Sequence, residues 1–443
     1  MIWSLSHSQA ISLTSDGWTS GNNEAYITVT GHEITPDFGF NSFILATREL
    51  DVTHSGENIG GFVTEICQEF GIHGKTYYIT TDNAANMGVA AQVSGLYRIR
   101  CFAHTLQLAV RDGLENVAPV QSLIKNARNL AKTVKKSTRL DKAIEKHQVQ
   151  LGKETKGVLR DVQTRWNSSF IMLERLLEIQ TDVVSVLHTA EFQRHKHLLL
   201  SDNQWELAEK IVPVLKQMTV ATELLCSEKI PGITSYYPLA FRVIALMQVK
   251  PNDGGVVSEL KTRISNGLRD RMLTGNYWET PPMIAAALDP NTKSLLFLTE
   301  DKRNVVYQNI QHELSNLPQE LPQQDEPTDE PAAKKSAVSS LASFLGDEIT
   351  NIDNTGEDVN EFQLYLETKI TEFVDVMDWW KLNKNSFPKL ARLARRYLSI
   401  QATSVPSERL FSAAGQTISK RRSALSSDTA DKLLFLNKNM KMT

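Results

Sequence analysis

Cysteine, long apolar runs and an excess of charge of one sign are all scarce in this chain of 443 residues. The three cysteines lie far apart and are odd in number, which is typical of a reducing compartment rather than a disulfide framework. No apolar run reaches the roughly 18–20 residues that a membrane-spanning helix needs. The first residues also lack the basic and apolar parts of a secretion signal. We therefore expect no membrane partner, and the length allows two or three domains.

The net charge of −3 conceals an uneven distribution of charged residues. Residues 318–361 contain eleven acidic residues and two lysines, whereas the rest of the chain contains 46 basic and 40 acidic residues. The acidic stretch is also rich in Pro, Gln and Ser, so residues 318–360 are predicted to form a flexible linker. The mildly basic remainder is compatible with nucleic acid as a partner but does not require it.

Residues 1–114 have the pattern of a mixed α/β unit. β-Branched and alternating apolar residues predict strands near residues 11–16, 26–30, 38–45, 77–79 and 96–101. Apolar residues at helical spacing predict a helix over residues 57–70, which Gly71 ends. Three antiparallel strands, a helix, a strand, a helix and a strand form the order of an RNase-H-like domain.

Residues 115–317 are predicted to be almost wholly helical. The predicted helices there span residues 122–146, 168–190, 204–227, 238–247, 257–267 and 304–314. Residues 361–443 form a further unit, in which Trp379 and Trp380 are aromatic anchors. Two helices with apolar faces are predicted near its end, one that begins at Pro406 and one over residues 429–440.

Three carboxylates stand out because rigid elements are predicted to carry them. The local sequences are SLTSDGWTS around Asp16, ITTDNAANM around Asp82 and SVPSERLFS around Glu408. Each aspartate is predicted to close a strand. Glu408 is predicted to lie in the first turn of its helix, where the helix dipole favours a negative charge. An aspartate at a strand end is by itself most often a turn or capping residue.

These three segments and the run that ends at Met440 resemble the hAT transposase superfamily, specifically its BED-zinc-finger (ZBED-like) transposase-derived group. The resemblance extends from Ser12 to Met440, with the acidic linker as a gap. It implies an α/β + α fold in which an RNase-H-like domain begins with residues 1–114 and is interrupted by an all-α insertion of residues 115–317. The C-terminal hAT dimerisation region, residues 361–443, would complete that domain.

The resemblance also implies that Asp16, Asp82 and Glu408 are the catalytic and metal-binding residues of a DDE-type site. Mg²⁺ or Mn²⁺ would be the cofactor, because two such ions held by hard oxygen ligands about 4 Å apart serve phosphodiester cleavage and transfer. No zinc and no small-molecule cofactor are expected. Cys101 and His104 match a Cys-x-x-His signature of the family, but a structural zinc needs about four ligands and no second pair has a workable spacing.

DNA contacts are implied for two further segments. Arg165 and Trp166 lie in DVQTRWNS, which resembles the hAT segment whose Trp stacks on an extruded base; without the resemblance Trp166 would be a core residue. His104 either approaches the carboxylates and contacts DNA or is a polar residue at a helix start. The basic helix over residues 122–146 offers a phosphate-binding face, although a solvated face is the usual explanation. Its candidate DNA-contacting residues are Lys132, Lys135, Lys136 and Arg139.

The C-terminal region is expected to form a homodimer or a higher homo-oligomer. The candidate dimerisation residues are Trp379, Trp380, Leu410, Phe411, Leu433, Leu434 and Leu436. The alternative is that these residues pack within one chain on the RNase-H-like sheet, and the two arrangements are compatible.

Taken together, the residues and the resemblance predict a hAT transposase-derived nuclear protein that dimerises, binds DNA and retains a metal-dependent strand-cleaving core. The alternative from another class is a domesticated, non-catalytic transcription regulator or interaction scaffold. The complete trio of carboxylates favours the enzyme. The absence of a Cys-x-x-Cys BED finger before Asp16 favours the scaffold. A plain nuclease or phosphatase would explain neither the C-terminal block nor the helical insertion.

Overall fold

The computed structural model describes residues 5, 7–19, 24–162, 166–226, 232–317, 360–409, 432, 435 and 439. The strands in this part of the chain are β1 Ile11–Thr19, β2 Ala25–Ile34, β3 Phe40–Glu49, β4 Thr76–Thr81 and β5 Tyr97–Arg100. The first helices are α1 Gly56–Glu69, α2 Ala85–Val93, α3 Phe102–Asn116, α4 Ala118–Lys136, α5 Thr138–Gln150, α6 Trp166–Glu178, α7 Gln180–Leu187 and α8 Asp202–Leu225. They are followed by α9 Tyr236–Leu246, α10 Gly254–Met272, α11 Pro281–Ala287, α12 Glu300–Ser315, α13 Glu361–Glu367, α14 Val376–Asn383 and α15 Pro388–Leu398.

The five strands form one sheet in the order β3-β2-β1-β4-β5. β1 pairs antiparallel with β2, and β2 pairs antiparallel with β3. β4 pairs parallel with β1 and with β5, which requires the crossover helices α1 and α2. The predicted order of strands and helices in residues 1–114 is therefore confirmed. The prediction of mostly helical structure after this sheet is also confirmed.

The two faces of the sheet differ in chemistry because successive side chains of a strand point to opposite faces. On one face Ile11, Leu13 and Val29 are buried against Val63 and Ile66 of α1. The opposite face of β1 carries Ser12, Thr14 and Asp16 at alternate positions. Polar side chains on that face need hydrogen-bond partners wherever the fold covers them.

Helices α1 and α2 pack closely through glycines of α1. A Cβ atom built on Gly56 would lie 2.3 Å from the Val89 Cβ, and one built on Gly60 would lie 2.6 Å from the Val93 Cβ. Gly61 has nothing within 4 Å of a built Cβ. The two contact glycines thus permit a helix approach that no larger residue would allow.

The predicted helix over residues 122–146 is two helices. α4 ends at Lys136, Ser137 has φ −105° and ψ 95°, and α5 begins at Thr138. The Ser137 hydroxyl accepts a hydrogen bond from the Leu140 N–H at 3.3 Å, which caps α5. Continuous basic spacing in the sequence concealed this break, since neither Pro nor Gly marks it.

The aromatic residues of α13 and α14 belong to the intramolecular core. Trp380 is fully buried, and its indole N–H donates to the Leu288 carbonyl oxygen at 2.8 Å. Its ring lies 5.5 Å from the Tyr365 ring and 5.0 Å from the Trp379 ring, which is also buried. The buried ammonium of Lys293 donates to the carbonyl oxygens of Tyr365 and Thr368. Both tryptophans therefore pack within one chain, as the intramolecular alternative predicts, and they leave little surface for contact with a second chain.

Candidate active site

Asp16 lies inside β1 rather than at its end, which corrects the prediction. β1 pairs with β2 as far as Thr19, but its parallel pairing with β4 ends at Thr14. Asp16 therefore occupies the stretch of β1 where the sheet opens beside it. The side chain is half-buried, and its Oδ1 accepts a hydrogen bond from the Gly17 N–H at 2.8 Å.

Asp82 follows the last residue of β4, as predicted. Its Oδ1 accepts from the Ala84 N–H at 3.1 Å, which shapes the turn into α2. The Arg98 guanidinium of β5 donates to the Asp82 carbonyl oxygen at 2.5 Å and to the Ala84 carbonyl oxygen at 2.9 Å. Arg98 also donates to the Thr81 hydroxyl at 2.9 Å. The backbone that presents the Asp82 carboxylate is thus held by one arginine.

Glu408 lies in the first turn of a helix, as predicted. Residues 405–409 are helical, and the Ser404 carbonyl oxygen accepts from the N–H groups of Ser407 and Glu408 at 2.9 and 3.2 Å. The Ser404 hydroxyl donates to the Glu408 Oε1 at 3.5 Å. The Arg409 guanidinium donates to the Cys226 carbonyl oxygen at 2.5 Å, which connects this helix to the end of α8.

Residues 399–409 cover the polar face of the sheet and thereby bring Glu408 to the aspartates. The hydroxyls of Ser12 and Ser399 are 2.7 Å apart. The Thr80 hydroxyl donates to the Gln401 carbonyl oxygen at 2.6 Å, and the Phe102 N–H donates to the Ala402 carbonyl oxygen at 2.9 Å. The segment therefore contacts β1, β4 and the start of α3.

The pKa of Asp16 reflects the approach of Glu408 and Asp82 to its carboxyl group. Burial, together with the negative charges of Glu408 and Asp82, raises the pKa of its carboxyl from the ordinary value of 3.8 to about 8. The hydrogen bond from the Gly17 N–H acts in the opposite direction. The three predicted carboxylates are thus brought into electrostatic contact, although they are distant in the sequence.

The donor chemistry of the trio fits a divalent cation. Carboxylate oxygens are the hard ligands that Mg²⁺ and Mn²⁺ prefer, and a cation would offset the repulsion that raises the Asp16 pKa. In the part of the chain that the structure describes, no three acidic, histidine or cysteine side chains lie close enough to enclose an ion. The arrangement is therefore an electrostatic cluster without a closed ligand shell.

Cys101 and His104 flank the site in different ways. The Cys101 thiol is fully buried, its sulfur accepts from the Ser404 N–H at 3.4 Å, and burial raises its pKa to about 11. A thiol held in this state packs the C-terminal segment rather than serving as a nucleophile. His104 is half-buried in the first turn of α3.

Trp166 begins α6 and is buried in the helical core. It also lines a cavity of about 550 Å³, together with Arg111, Lys125 and Arg128. Arg128 forms an ion pair with buried Asp161, with 2.6 Å between its guanidinium and the Asp161 Oδ2. The core interpretation of Trp166 is thus supported, while the cavity beside it keeps the base-stacking interpretation open. Arg165 lies outside the described residues.

The four candidate cations of the basic face are exposed on α4 and α5. Lys135 lies 3.6 Å from an Asp141 oxygen, and Arg139 lies 2.7 Å from a Glu191 oxygen. Exposed pairs of this kind are weak, so they do not prevent these cations from contacting phosphate. Of the dimerisation candidates, Leu410, Phe411, Leu433, Leu434 and Leu436 lie outside the described residues.

Several residues that build the site were missed at the sequence level. Arg98 and Thr80 are ordinary strand residues by sequence, and Arg409 stands next to a residue already singled out. A signal existed for β1, since Ser12, Thr14 and Asp16 alternate with apolar residues and therefore share one face.

Three family models match the chain. Residues 14–96 match the ZBED1 RNase-like domain, residues 99–214 match the ZBED1 RNase-like helical domain, and residues 361–440 match the hAT family C-terminal dimerisation region. The first match begins within β1 and extends past α2, and the second begins within β5 and continues into the helices.

Full-length comparison finds relatives at low identity. The chain is 25% identical to zinc finger BED domain-containing protein 4 of Homo sapiens over 454 residues, which cover 98% of this chain and 38% of that protein. It is 24% identical over 460 residues to a Zea mays protein assigned as a candidate AC transposase, covering 96% of this chain and 56% of that protein. A protein of Talaromyces stipitatus assigned as a candidate transcriptional regulator, tpeD, is 22% identical over 478 residues, which cover 98% and 54% of the two chains.

The chain thus spans about two fifths to three fifths of the length of these relatives. Among the described helices, none combines the length and the apolar character that crossing a bilayer requires. The matches extend over the sheet, the helices and the C-terminal region that carries Glu408. The chain therefore belongs to the hAT transposase superfamily, in its ZBED-related, transposase-derived group.

Proposed function

We propose that the chain contains a metal-dependent DNA strand-cleaving core in which Asp16, Asp82 and Glu408 hold Mg²⁺ or Mn²⁺. The observation that carries the proposal is the docking of residues 399–409 on β1 and β4, which places Glu408 in electrostatic contact with Asp16. A fold gains nothing in stability from gathering like charges, so such a cluster is a functional-site candidate.

The architecture follows from the same docking. In the proposal, an RNase-H-like domain begins with residues 1–114, helical residues 115–317 interrupt it, and residues 361–443 complete it. Its support is that the C-terminal segment lies against the first strand of the sheet and not only against the helices. The same region supplies the dimer contact, through residues other than Trp379 and Trp380.

The chemistry divides between the cation and the chain. Bound divalent ions would polarise the attacking water or 3′-hydroxyl and neutralise charge at the phosphate. Asp16, with its raised pKa, retains a proton near neutral pH and exchanges it for a cation. Arg98 fixes the backbone at Asp82. In this proposal the exposed side chain of Glu408 would close a ligand shell with the two aspartates.

DNA binding in this proposal uses the exposed cations of α4 and α5 for phosphate. The cavity beside Trp166 is a candidate place for an unstacked base. Arg165, which precedes Trp166 in the sequence, and His104 would be further DNA contacts. Work on DNA implies a nuclear location.

The test is Mn²⁺-dependent nicking of supercoiled plasmid by the purified chain, compared with Asp82→Asn and with Asp51→Asn. Asp51 is an exposed carboxylate in the loop between β3 and α1, so its variant controls for the loss of one negative charge. We expect Asp82→Asn to lose more activity than the roughly 10–100-fold that loss of an outer-shell partner costs. Asp51→Asn should nick like the wild type. Equal activity of the two variants would refute the assignment.

A second function is favoured by one observation, the absence of a closed ligand cluster among the described residues. In this second function the chain does not cleave DNA and is a domesticated transcription regulator or interaction scaffold that retains the fold and the dimer. A folded, dimeric wild type that binds DNA and shows no nicking with Mn²⁺ or Mg²⁺ would establish this alternative over the first.

A further inference from the structure

A continuous series of buried polar side chains crosses the sheet and ends next to Glu408. The His32 Nε2 is 2.8 Å from the Thr30 hydroxyl, which is 2.5 Å from the Thr14 hydroxyl. The Thr14 hydroxyl is 2.6 Å from the hydroxyl of Ser407. All four side chains are at most 2% exposed. The series therefore runs from β2 through β1 into the helix of residues 405–409. We call these four residues the hydroxyl relay.

The direction of the hydrogen bonds follows from the histidine. Burial lowers the pKa of His32 to about 3, so its ring is neutral and carries one proton. Within the described part of the chain its Nδ1 has no hydrogen-bond partner. An unpaired acceptor is tolerated in proteins better than an unpaired N–H donor, so the proton belongs on Nε2. His32 then donates to Thr30, which leaves each hydroxyl free to donate to the next one along the relay.

The relay reaches two of the three carboxylates through adjacent positions. Thr14 is two residues before Asp16 and therefore shares its face of β1. Ser407 immediately precedes Glu408 in the same helical turn. A link between the Thr14 and Ser407 side chains consequently fixes how far the Glu408 backbone lies from the Asp16 backbone.

The contact between the sheet and residues 399–407 contains several buried hydrogen bonds. Besides the relay, it contains the Ser12–Ser399 pair at 2.7 Å and the Thr80 bond to the Gln401 carbonyl oxygen at 2.6 Å. Apolar contacts tolerate sliding, whereas buried hydroxyls that lose their partners pay the full cost of desolvation. A shift of the segment by one residue would leave several of these groups unsatisfied, so this contact specifies a single register.

We propose that the hydroxyl relay is a positioning device: Thr14 and Ser407, supported by Thr30 and His32, set the register in which the C-terminal segment presents Glu408 to Asp16. None of the four residues is a catalytic residue. The role in catalysis rests on the proposed function, whereas the docking itself does not.

The experiment compares Thr14→Val, which keeps the shape and removes the hydroxyl, with Thr14→Ser, which keeps the hydroxyl. Thr76→Val is the matched control, because Thr76 is a buried threonine of the same sheet whose hydroxyl donates to the Ile72 carbonyl oxygen at 2.9 Å. Ser407→Ala removes the relay from the helix side and serves as the second variant where Thr14→Val does not fold.

Two measurements are made on the full chain. Hydrogen–deuterium exchange followed by mass spectrometry reports on peptides that cover residues 399–409. Plasmid nicking is titrated separately against Mn²⁺ and against DNA. We expect Thr14→Val and Ser407→Ala to accelerate exchange in residues 399–409 by about tenfold, the size expected for loss of a buried hydrogen bond. The Mn²⁺ concentration for half-maximal nicking should rise by about tenfold or more, while the DNA concentration for half-maximal nicking stays unchanged.

Thr14→Ser should behave as the wild type, and Thr76→Val should leave exchange in residues 399–409 unchanged. Exchange in residues 399–409 that is the same in Thr14→Val, Thr76→Val and wild type would overturn the positioning role. If the wild type does not nick DNA at all, the proposed function fails, and the exchange measurement alone decides whether the relay sets the register.

Discussion

Replacing Asp16 by Asn should stabilise the fold of the metal-free protein while abolishing nicking. The Asn side chain has the shape of a protonated Asp and cannot acquire the charge that Glu408 and Asp82 repel. In the wild type, the Asp16 carboxyl has a pKa of about 8 when folded, against an ordinary value of 3.8. Below pH 3.8 both folded and unfolded chains carry the proton, so the full stability is present.

Between pH 3.8 and about 8 the unfolded chain releases this proton and the folded chain retains it. The free energy of unfolding therefore falls as the pH rises through this window, and the contribution is lost once the pH exceeds the folded pKa. The two pKa values set an upper bound of about 6 kcal/mol on this loss. Because Asp16 is only half-buried, solvent screening reduces the expected loss to about 2–3 kcal/mol.

The assay is urea denaturation followed by tryptophan fluorescence, in EDTA, at several values between pH 5 and pH 8.5. Asp16→Asn should be more stable than wild type at pH 8, and the difference should shrink towards pH 5. Mg²⁺ in excess should narrow the difference at pH 8, because a cation stabilises the ionised carboxylate. An Asp16→Asn variant that is less stable than wild type at pH 8, or whose pH dependence equals that of wild type, would refute the reasoning.

Three further predictions concern packing and DNA. Gly60→Ala should lower the free energy of unfolding by about 1–2 kcal/mol, because overpacking against Val93 outweighs the gain in helix propensity. Gly61→Ala should raise the free energy of unfolding by up to about 1 kcal/mol, because its Cβ meets no other atom. Equal midpoints of urea denaturation for the two variants would contradict this prediction. Trp380→Phe should lower the free energy of unfolding by about 1–3 kcal/mol, because the Leu288 carbonyl oxygen loses its hydrogen-bond donor. The oligomeric state on gel filtration should not change. Dissociation of the oligomer would instead support a role of Trp380 in dimerisation. Lys132→Ala combined with Lys136→Ala should weaken binding to all duplexes alike and reduce the salt dependence by about two counterions in fluorescence anisotropy; an unchanged slope would exclude these cations.

Local sequence patterns were sufficient to predict those helices and strands whose conformation depends on residues a few positions apart. Alternation and β-branched residues predicted the strands, and helical spacing and Gly71 predicted α1. The position of Glu408 in the first turn of a helix was also predicted correctly. Local patterns failed where the extent of an element depends on the element that it pairs with. Asp16 is not terminal in β1, because pairing with β2 continues after pairing with β4 has ended.

The tryptophan pair shows a related limit. A sequence records that Trp379 and Trp380 are apolar and adjacent, but it does not record which surface covers them. The intramolecular core covers both, through Tyr365, Phe38 and the Leu288 carbonyl oxygen. Burial depends on the summed contacts of elements that are far apart in the chain, which no local pattern encodes.

By itself, the sequence was sufficient to predict most helices and strands, because propensity, periodicity and capping act over a few residues. It was also sufficient to single out the three carboxylates and the local segments around them that resemble the family. Only the tertiary structure decided that these carboxylates come within electrostatic range of one another. Glu408 acts on the charge of Asp16 because Ser399, Gln401 and Ser407 form hydrogen bonds with hydroxyl groups of β1 and β4. Those hydrogen bonds form only once the sheet has exposed a polar face of matching register, and that match is a property of the assembled fold.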